Sequence, residues 1–322
     1  MPSPRKTPRG FLRLGKPEER TPFSETTNVR ERLLLRGIKP RKRWGQNFLT
    51  RADTAQRIVD AVGLAGDETV LEIGPGAGAL TGRLAAAAAR VVAVEFDRGL
   101  ADLLEEDLGG WGKVEIVRGD VLDLDLDALA LRLAVDRLTV VGNVPYAITT
   151  AILEWLIEGR RRVAQAVLLV QKEYAARLAA AAGTADYGSL TLFARYHLRL
   201  DPLFHVPPGA FWPRPEVDST LVRLRFRPSP PVEVPDEERF FALIRASFQQ
   251  RRKTLGTALL PLYDRNRVRC EKALHAAHIA SKRRGETLEL EEFARLARHE
   301  VPFRGEAAPP APEETPPERS FG

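Results

Sequence analysis

Short strand-like runs of apolar residues alternate with helical patterns along the first half of the chain. The strand-like runs fall at residues 69–73, 91–94, 114–117, 138–141 and 166–170. Helical patterns, including an alanine-rich one at about 79–89 and another at 149–159, lie between them. Strands that alternate with helices form a parallel sheet covered by helices on both faces. The pattern therefore predicts an α/β fold with a doubly wound, Rossmann-like sheet.

The pattern changes after this sheet. Thr191–Leu198 and Thr220–Phe226 carry strand-forming residues without a long helix between them, so we expect them to pair antiparallel at the sheet edge. Pro228–Pro235 is a proline-rich linker. We therefore predict a sheet domain over residues 36–228 and a small all-helical domain over residues 236–301.

The two ends of the chain lack periodicity. Residues 1–35 are basic and rich in Pro and Thr, and residues 302–322 are rich in Pro and Glu, so both are predicted to be disordered. No apolar run approaches the roughly 18 residues of a membrane helix, and no signal peptide is recognised. We expect a cytoplasmic protein without a membrane partner.

Cysteine and histidine usage bears on metal chemistry. The chain has the single cysteine Cys270, which excludes an intramolecular disulfide and a cysteine-based zinc cluster. Its five histidines do not show the HExxH spacing of a zinc protease. We expect no metal site.

Positive charge is concentrated in two segments. Residues 1–51 hold 14 Lys and Arg against 4 Asp and Glu, and residues 245–284 hold 11 against 2, although the formal net charge of the chain is only +6. Such clustering is typical of proteins that bind a phosphate backbone, the alternative being a solubilising tail and a solvated helix face. The RNA-binding residues predicted in these segments are Arg41, Lys42, Arg43, Arg251, Arg252 and Lys253.

The glycine-rich stretch after the first strand predicts a nucleoside site. Gly74, Gly76 and Gly78 follow the strand at 69–73, and glycines let the main chain approach a ligand closely. The next strand ends at Glu95, 21 residues beyond Gly74, where a carboxylate can accept both ribose hydroxyls. Both features belong to the carboxyl ends of neighbouring strands.

The turn alone leaves the ligand open. Gly74, Gly76 and Ala79 also satisfy the dinucleotide fingerprint GxGxxA, and the glycines could serve only to make a tight turn. Glu72 favours S-adenosylmethionine over NAD. A carboxylate repels a diphosphate, whereas S-adenosylmethionine carries an ammonium group and a positive sulfonium.

Two further strand ends carry polar residues. Asp120 follows the third strand, where its carboxylate could bind an adenine amine. Asn143-Val144-Pro145-Tyr146 follows the fourth strand. The Asn143 oxygen and a main-chain carbonyl near Val144–Pro145 could accept both amine hydrogens of a target adenine. The nitrogen lone pair would then be free to attack a sulfonium methyl group, with Pro145 fixing the turn and Tyr146 stacking on the base.

These residues belong to a larger set of ordered motifs. A stiff loop at 206–215 holds four prolines and the aromatic pair Phe211-Trp212, which suits either the rim of a base-binding site or an aromatic plug. From about residue 41 to 301 the chain resembles the rRNA adenine N6,N6-dimethyltransferases, most closely the branch that modifies 16S rRNA. The resemblance rests on RWGQNFL (43–49), LEIGPGAGALT (71–81), VEFDR (94–98), GD (119–120), GNVPY (142–146), QKEYAARL (171–178), VPPGAFWPRPEVDSTLVRL (206–224) and FQQRRKTL (248–255).

The resemblance implies roles for particular residues. The implied catalytic residues are Asn143, Pro145, Tyr146 and Phe211, of which the two aromatic ones would stack on the target base. Val144 and Ala147 depart from the usual residues of the family motif, at the rim of the pocket. The implied contacts to S-adenosylmethionine are Asn47, Leu49, Gly74, Glu95, Asp120 and Asn143.

The resemblance also implies a substrate. We expect N6,N6-dimethylation of two adjacent adenines in a 3′-terminal stem-loop of 16S rRNA, within a small ribosomal subunit or an assembly intermediate, by a monomer. The alternatives are a 23S rRNA methyltransferase conferring antibiotic resistance and a non-catalytic nucleic-acid-binding factor on the same fold. FQQRRKTL and the long VPPGAF loop favour the 16S branch, and the intact Asn143–Tyr146 motif argues against a non-catalytic factor. A NAD-dependent dehydrogenase is disfavoured because no proton-relay residue has suitable spacing.

Overall fold

The structure, a computed structural model, describes residues 29–41 and 44–299. The predicted disorder of residues 1–28 and of residues 302–322 lies outside the described residues. The prediction of disorder up to residue 35 is wrong at its end, because helix α1 spans Val29–Leu35. Gly37 ends this helix with a positive φ of 67°, while Ile38 N–H donates to the Leu33 carbonyl at 2.9 Å. This glycine-type helix end is a signal that the sequence carries.

The described chain divides into two compact units. The first comprises the described residues up to Ala175 together with Asp201–Phe226, and it contains a sheet of seven strands in the order β4-β3-β2-β5-β6-β9-β7 and a separate β1-β8 pair. The nine strands are β1 (Phe48–Leu49), β2 (Thr69–Ile73), β3 (Arg90–Glu95), β4 (Val114–Arg118), β5 (Leu138–Asn143), β6 (Val163–Gln171), β7 (Leu198–Val206), β8 (Phe211–Trp212) and β9 (Ser219–Phe226).

Strand β2 lies where the order of the sheet reverses. It pairs in parallel with β3 on one side and with β5 on the other, and β9 pairs antiparallel with β6. In open α/β sheets, ligands bind beyond the carboxyl ends of the strands at such a switch point. The predicted Rossmann-like sheet is confirmed, and its topology directs attention to the turn after β2.

Helices cover the sheet because each presents an apolar face to it. All five residues of β2 are buried, and the side chains of Val70 and Val91 pack with Leu84 of α3 and Ile58 of α2 in one apolar cluster. The helices of this part of the chain are α2 (Ala52–Val62), α3 (Thr81–Ala87), α4 (Arg98–Leu108), α5 (Leu126–Leu133), α6 (Thr149–Glu158) and α7 (Lys172–Ala179).

The second unit comprises Ala176–Leu200 and the described residues from Arg227 onward. Leu192 and Tyr196 pack there against Phe240 in a core of its own. Its helices are α8 (Ser189–His197), α9 (Glu237–Gln249), α10 (Leu255–Ala258), α11 (Arg267–Ala276) and α12 (Leu290–Arg298).

The structure corrects the prediction for residues 191–198. They form most of helix α8 rather than a strand, and the edge strand β7 begins only at Leu198. Leu192 and Tyr196 lie four residues apart, so a helix places both on one buried face. The sheet domain was also predicted to be continuous over residues 36–228. In the structure, Ala176–Leu200 within that range belongs to the second unit, with the later helices.

Within the described residues, no helix is both long enough and apolar enough to span a membrane.

Candidate active site

An open cavity of about 330 Å³ lies at the carboxyl ends of β2, β3, β4 and β5. The turn after β2, the segment around β1 and the residues after β5 form its walls. Among the described residues that line it there is no Lys or Arg, so its charge disfavours a diphosphate and favours a ligand that carries positive groups. The four carboxylates that line it are Glu72, Glu95, Asp97 and Asp120.

The turn after β2 has a conformation that requires glycine. Gly74, Gly76 and Gly78 have φ angles of 62°, 60° and 81°. This left-handed region is strained for residues with a Cβ. A Cβ on Gly76 would also lie 3.0 Å from a ring carbon of Phe48. The turn therefore brings main-chain atoms to the wall of the cavity, as the sequence predicts.

Glu95 holds this turn from the end of β3. One carboxylate oxygen accepts the Gly76 N–H at 2.9 Å, and the other accepts the Asp97 N–H at 2.8 Å. The side chain is buried, and burial raises the pKa of the Glu95 carboxyl above its usual range. Each carboxylate oxygen has a further lone pair. Glu95 is therefore placed to accept ribose hydroxyls while it orders the turn.

Glu72 is the second buried carboxylate of the cavity wall. It is 1% exposed, and burial raises the pKa of its carboxyl to about 8. Its Oε2 atom is buried and has no hydrogen-bond partner within the described part of the chain. A buried acceptor of this kind is costly unless a donor meets it. The ammonium group of S-adenosylmethionine is such a donor, so this side of the cavity fits that cofactor.

Asp120 and Phe96 lie at the end of the cavity that suits an adenine ring. One oxygen of Asp120 accepts the Leu122 N–H at 3.0 Å, which fixes the carboxylate and leaves the other oxygen for a ligand amine. Phe96 lines the same cavity and is 57% exposed. Phe96 follows β3 and Asp120 follows its neighbour β4, so a ring and a fixed carboxylate on this side of the cavity could meet the face and the edge of a purine.

Asn143, at the end of β5, is oriented by a main-chain contact. Its Nδ2 donates to the Asn47 carbonyl at 2.9 Å. A carbonyl can only accept, so this bond fixes which end of the amide is nitrogen. The Oδ1 atom of Asn143 is therefore the end available as an acceptor in the cavity.

The residues after Asn143 form a fixed turn. The Pro145 carbonyl accepts from the Ile148 N–H and from the Thr149 hydroxyl, both at 3.2 Å. The Pro145 carbonyl is therefore engaged within the turn. The Val144 carbonyl is the one left to act, beside Asn143 Oδ1, as the second acceptor for a target amine. The Tyr146 hydroxyl lies 3.0 Å from the Ser219 hydroxyl, which anchors the ring.

Asn47 and Leu49 also line the cavity, as expected. Asn47 presents its carbonyl to Asn143 and donates its own side-chain amide to the Gly45 carbonyl at 3.1 Å. Leu49 is 4% exposed and lies in β1. All six predicted cofactor contacts therefore meet at one cavity.

Comparison with known proteins identifies the family. The family model for ribosomal RNA adenine dimethylases matches residues 37–297. A ribosomal RNA small subunit methyltransferase A from Geobacillus thermodenitrificans is 44% identical over 280 residues, which cover 85% of this chain and 96% of that protein. The protein of the same name from Pelotomaculum thermopropionicum is 45% identical over 84% of this chain and 94% of its own length. The chain belongs to the ribosomal RNA adenine dimethylase family.

Solved structures agree with this family. The 23S rRNA methyltransferase ErmE has a TM-score of 0.59 and 32% identity, covering 78% of this chain and 98% of that one. A dimethyladenosine transferase from Plasmodium falciparum has a TM-score of 0.66 and 24% identity, covering 77% of this chain and 95% of that one. At this identity the likeness is one of fold. The predicted family and methyltransferase fold are confirmed, and S-adenosylmethionine is the cofactor of this dimethylase.

Phe211 lies apart from the other predicted catalytic residues. It is absent from the described lining of the cavity, it is 5% exposed, and it packs in the apolar core with Val206 and Leu221. Its neighbour Trp212 stacks on Phe48, with ring centroids 6.4 Å apart. In this structure Phe211 therefore matches the aromatic-plug interpretation, and its stacking on a base stays a prediction.

The predicted RNA-binding residues fall into different environments. Lys42 and Arg43 lie outside the described residues. Arg41 lies over the Trp44 ring at 4.2 Å and pairs with Asp97 at 3.7 Å, so it belongs to the rim of the cavity in this structure.

The second basic run divides in the same way. Arg251 donates to the carbonyls of Ala185 and Tyr187 at 2.7 and 3.1 Å, which gives it a structural role. Arg252 and Lys253 are exposed, and no described carboxylate lies within ion-pair distance of either. These two remain the best candidates for phosphate contacts in this run.

Several cavity residues were missed by the sequence interpretation. Asp97 caps α4 by accepting the Gly99 N–H at 2.9 Å, and it also accepts from Gln46 at 3.3 Å. Trp44 meets Phe96 edge-on with ring centroids 5.1 Å apart. The signal was present, since an aspartate two residues after a strand end is a common helix cap.

Among the described residues, no group of three or more His, Cys, Asp or Glu side chains is placed to hold a metal ion.

Proposed function

We propose that the chain transfers methyl groups from S-adenosylmethionine to N6 of two adjacent adenines in a 3′-terminal stem-loop of 16S rRNA, during ribosome biogenesis. The relatives named ribosomal RNA small subunit methyltransferase A support this substrate, because they match 94–96% of their own length at 44–45% identity. The partner is 16S rRNA in a small subunit or an assembly intermediate, and the enzyme acts as a cytoplasmic monomer.

The orientation of Asn143 carries the proposal. An adenine amine is a weak nucleophile because its lone pair is delocalised into the ring. Asn143 Oδ1 and the Val144 carbonyl together offer two acceptors, one for each amine hydrogen. Hydrogen bonds to both favour a nitrogen with tetrahedral character, whose lone pair points away from the acceptors. The bond from Asn143 Nδ2 to the Asn47 carbonyl, 2.9 Å, holds the acceptor in place before the substrate arrives.

The cofactor would supply the electrophile, a methyl group bonded to a positively charged sulfur. Glu95 and Asp120 would bind its ribose and its adenine, and Glu72 would meet its ammonium group. The adenine nitrogen would bond to the methyl carbon as the bond from that carbon to sulfur breaks, and S-adenosylhomocysteine would leave. The methylated nitrogen would then be positive and lose one proton, so the step needs no strong general base at the target. For the second transfer the methylated amine has one hydrogen left, and one of the two acceptors is enough to orient it.

Separated ribosomal subunits provide the test. The protein is incubated with labelled S-adenosylmethionine and with small or large subunits that lack the modification, and the nucleosides are then analysed. The proposal expects N6,N6-dimethyladenosine in 16S rRNA and no label in 23S rRNA. Label confined to 23S rRNA would instead assign the chain to the activity named for ErmE, which is 32% identical.

A further inference from the structure

Helix α1 precedes the part of the chain that the family model matches, which begins at residue 37. Its contacts nevertheless reach the cofactor cavity. Leu33 is fully buried in a cluster with Phe48, Ala77, Leu100 and Leu103. Ala77 belongs to the glycine turn, and Phe48 and Leu100 also line the cavity. The helix therefore packs on the outer side of the elements that form the cofactor site.

Arg32 connects this helix directly to the turn. Its Nη1 donates to the Ala77 carbonyl at 3.3 Å, and its Nη2 forms an ion pair with the Asp107 carboxylate of α4. The two side chains are 16% and 26% exposed, so water screens the pair only in part. The guanidinium thus ties the turn to the rigid end of a helix.

The turn is held from two sides. On the cavity side Glu95 accepts the Gly76 N–H, and on the outer side Arg32 donates to the next residue's carbonyl. Glycines at positive φ have more accessible conformations than other residues, so a turn built from them needs such contacts to keep one conformation. Glu95 also lines the cavity, whereas Arg32 is not among its lining residues.

Arg36, in the turn directly after α1, offers a matched comparison. It pairs with Glu106, which is also on α4, and these side chains are 46% and 57% exposed. Arg36 therefore has the same charge as Arg32 and pairs with the same helix, α4. No contact between Arg36 and the turn is found among the described residues.

We propose that Arg32 is a positioning residue for S-adenosylmethionine, which holds the glycine turn in its ligand-binding conformation. The inference rests on the cofactor site described above and is independent of the RNA substrate. If loss of Arg32 leaves the turn competent in about a tenth of the molecules, the apparent Kd for the cofactor rises about 10-fold. The rate at saturating cofactor changes little, because Arg32 touches neither the target base nor Asn143.

The experiment titrates the full-length chain with S-adenosylmethionine by calorimetry, without RNA. The variants are Arg32→Ala, Arg32→Lys and the control Arg36→Ala, and amide hydrogen exchange is followed across residues 74–79. The proposal expects a Kd about 10-fold higher and faster exchange in the turn for Arg32→Ala. Arg32→Lys keeps the charge and a donor and should recover part of the affinity, and Arg36→Ala should bind like the wild type.

Three results would overturn the inference. The first is that Arg32→Ala binds S-adenosylmethionine as tightly as the wild type. The second is that Arg36→Ala loses as much affinity as Arg32→Ala, since this would mean that only the docking of α1 matters. If Arg32→Ala does not fold, Asp107→Asn removes the anchoring charge more gently, and wild-type cofactor affinity in that variant is the third. A wild-type chain that binds no S-adenosylmethionine would contradict the cofactor assignment itself, which separates the two failures.

Discussion

Two side chains of the cavity wall, Glu95 and Asn143, are ordered by main-chain contacts, and we propose that both also contact the cofactor. Glu95 accepts two main-chain N–H groups, and the Asn143 amide is held by the Asn47 carbonyl. Groups that are oriented before the ligand arrives lose little freedom on binding. The residue types at these strand ends could be predicted from the sequence. The partners Gly76 and Asn47 could not, because they lie 19 and 96 residues away in the chain.

Replacement of Glu95 by alanine tests ribose recognition. The variant loses a charge-assisted acceptor for the hydroxyls and also releases the Gly76 N–H. We expect S-adenosylmethionine to bind more weakly by about 2–3 kcal/mol. Calorimetry measures this, with the exposed Glu106→Ala as a control for loss of one negative charge. Undiminished affinity in Glu95→Ala would remove Glu95 from the site.

Asn143 and Tyr146 should fail in different steps. Asn143→Ala removes an oriented acceptor for the target amine, which typically costs about 10²–10³ in rate. Tyr146→Ala should instead weaken capture of the base by about 1–3 kcal/mol, the usual cost of a lost stacking ring. Tyr146→Phe removes only the contact to Ser219 and should bind nearly as the wild type does.

Single-turnover kinetics at saturating cofactor and RNA separate these effects. If Asn143→Ala transferred methyl groups at the wild-type rate under these conditions, Asn143 would be a binding residue only.

The buried carboxyl of Glu72 predicts a pH-dependent stability. Its pKa rises from an ordinary value of 4.5 to about 8 on folding. Between these values the folded protein holds one proton more than the unfolded chain, so this group lowers the free energy of unfolding as pH rises. Glu72→Gln cannot titrate. The free energy of unfolding of Glu72→Gln, minus that of the wild type, should therefore increase as pH rises from about 5 to about 8.5.

The gain should reach a few kcal/mol, since each pKa unit corresponds to about 1.4 kcal/mol. Urea unfolding followed by circular dichroism at both pH values measures it. The exposed Glu106→Gln serves as the control. A stability difference between Glu72→Gln and the wild type that does not change with pH would show that Glu72 titrates normally.

At the scale of elements, the local sequence pattern correctly predicted the parallel strands. It gave the wrong secondary structure where tertiary packing determines the conformation. The strands at 69–73 and 138–143 follow from continuous apolar runs with turn residues behind them. Residues 191–197 are rich in strand-forming types, yet they lie in helix α8, where Leu192 and Tyr196 are buried together. Helix α1 was missed because its charged residues resemble the basic composition of residues 1–28, for which disorder was predicted, although Gly37 marked its end.

The basic run after α9 should divide into a structural and a binding part. Neutralising Arg252 and Lys253 together should weaken RNA binding and flatten its salt dependence by roughly 1.4–1.8 in slope, at about 0.7–0.9 for each phosphate contact. Arg251→Ala should mainly lower thermal stability, because it leaves the carbonyls of Ala185 and Tyr187 without this donor. Filter binding over a range of salt concentrations measures the slopes. If the salt dependence of RNA binding were unchanged in the double variant, Arg252 and Lys253 would be ordinary solvated surface residues.

At the scale of the whole molecule, affinity for RNA and choice of RNA have different origins. The two basic segments, with 14 and 11 Lys and Arg, can attract any phosphate backbone. The cavity wall holds four carboxyl groups and includes the Asn143–Tyr146 turn, and we propose that this turn selects an extruded base. The sequence predicted the two basic segments, but the first of them overlaps the cavity wall at residues 44–49. The separation of charge rests instead on the described cavity lining, which holds no Lys or Arg.

The preferred substrate should be RNA whose target adenines are already loosely stacked. Extruding a base from a stack costs a few kcal/mol, and proteins read RNA mainly in loops and ends that have a defined shape. A partly assembled small subunit holds its rRNA in such a shape, whereas protein-free rRNA samples many others. We therefore expect small-subunit intermediates to be methylated at least about 10-fold faster than protein-free 16S rRNA, the factor that about 1.4 kcal/mol supplies.

Single-turnover transfer of labelled methyl groups, at equal concentrations of intermediates, free 16S rRNA and large subunits, measures this preference. The Arg252 and Lys253 double variant is the matched control, because it should lower binding to all three RNAs alike and leave their order unchanged. Equal rates on free rRNA and on intermediates would mean that the stem-loop alone is the substrate. Faster transfer to large subunits would contradict the 16S assignment itself.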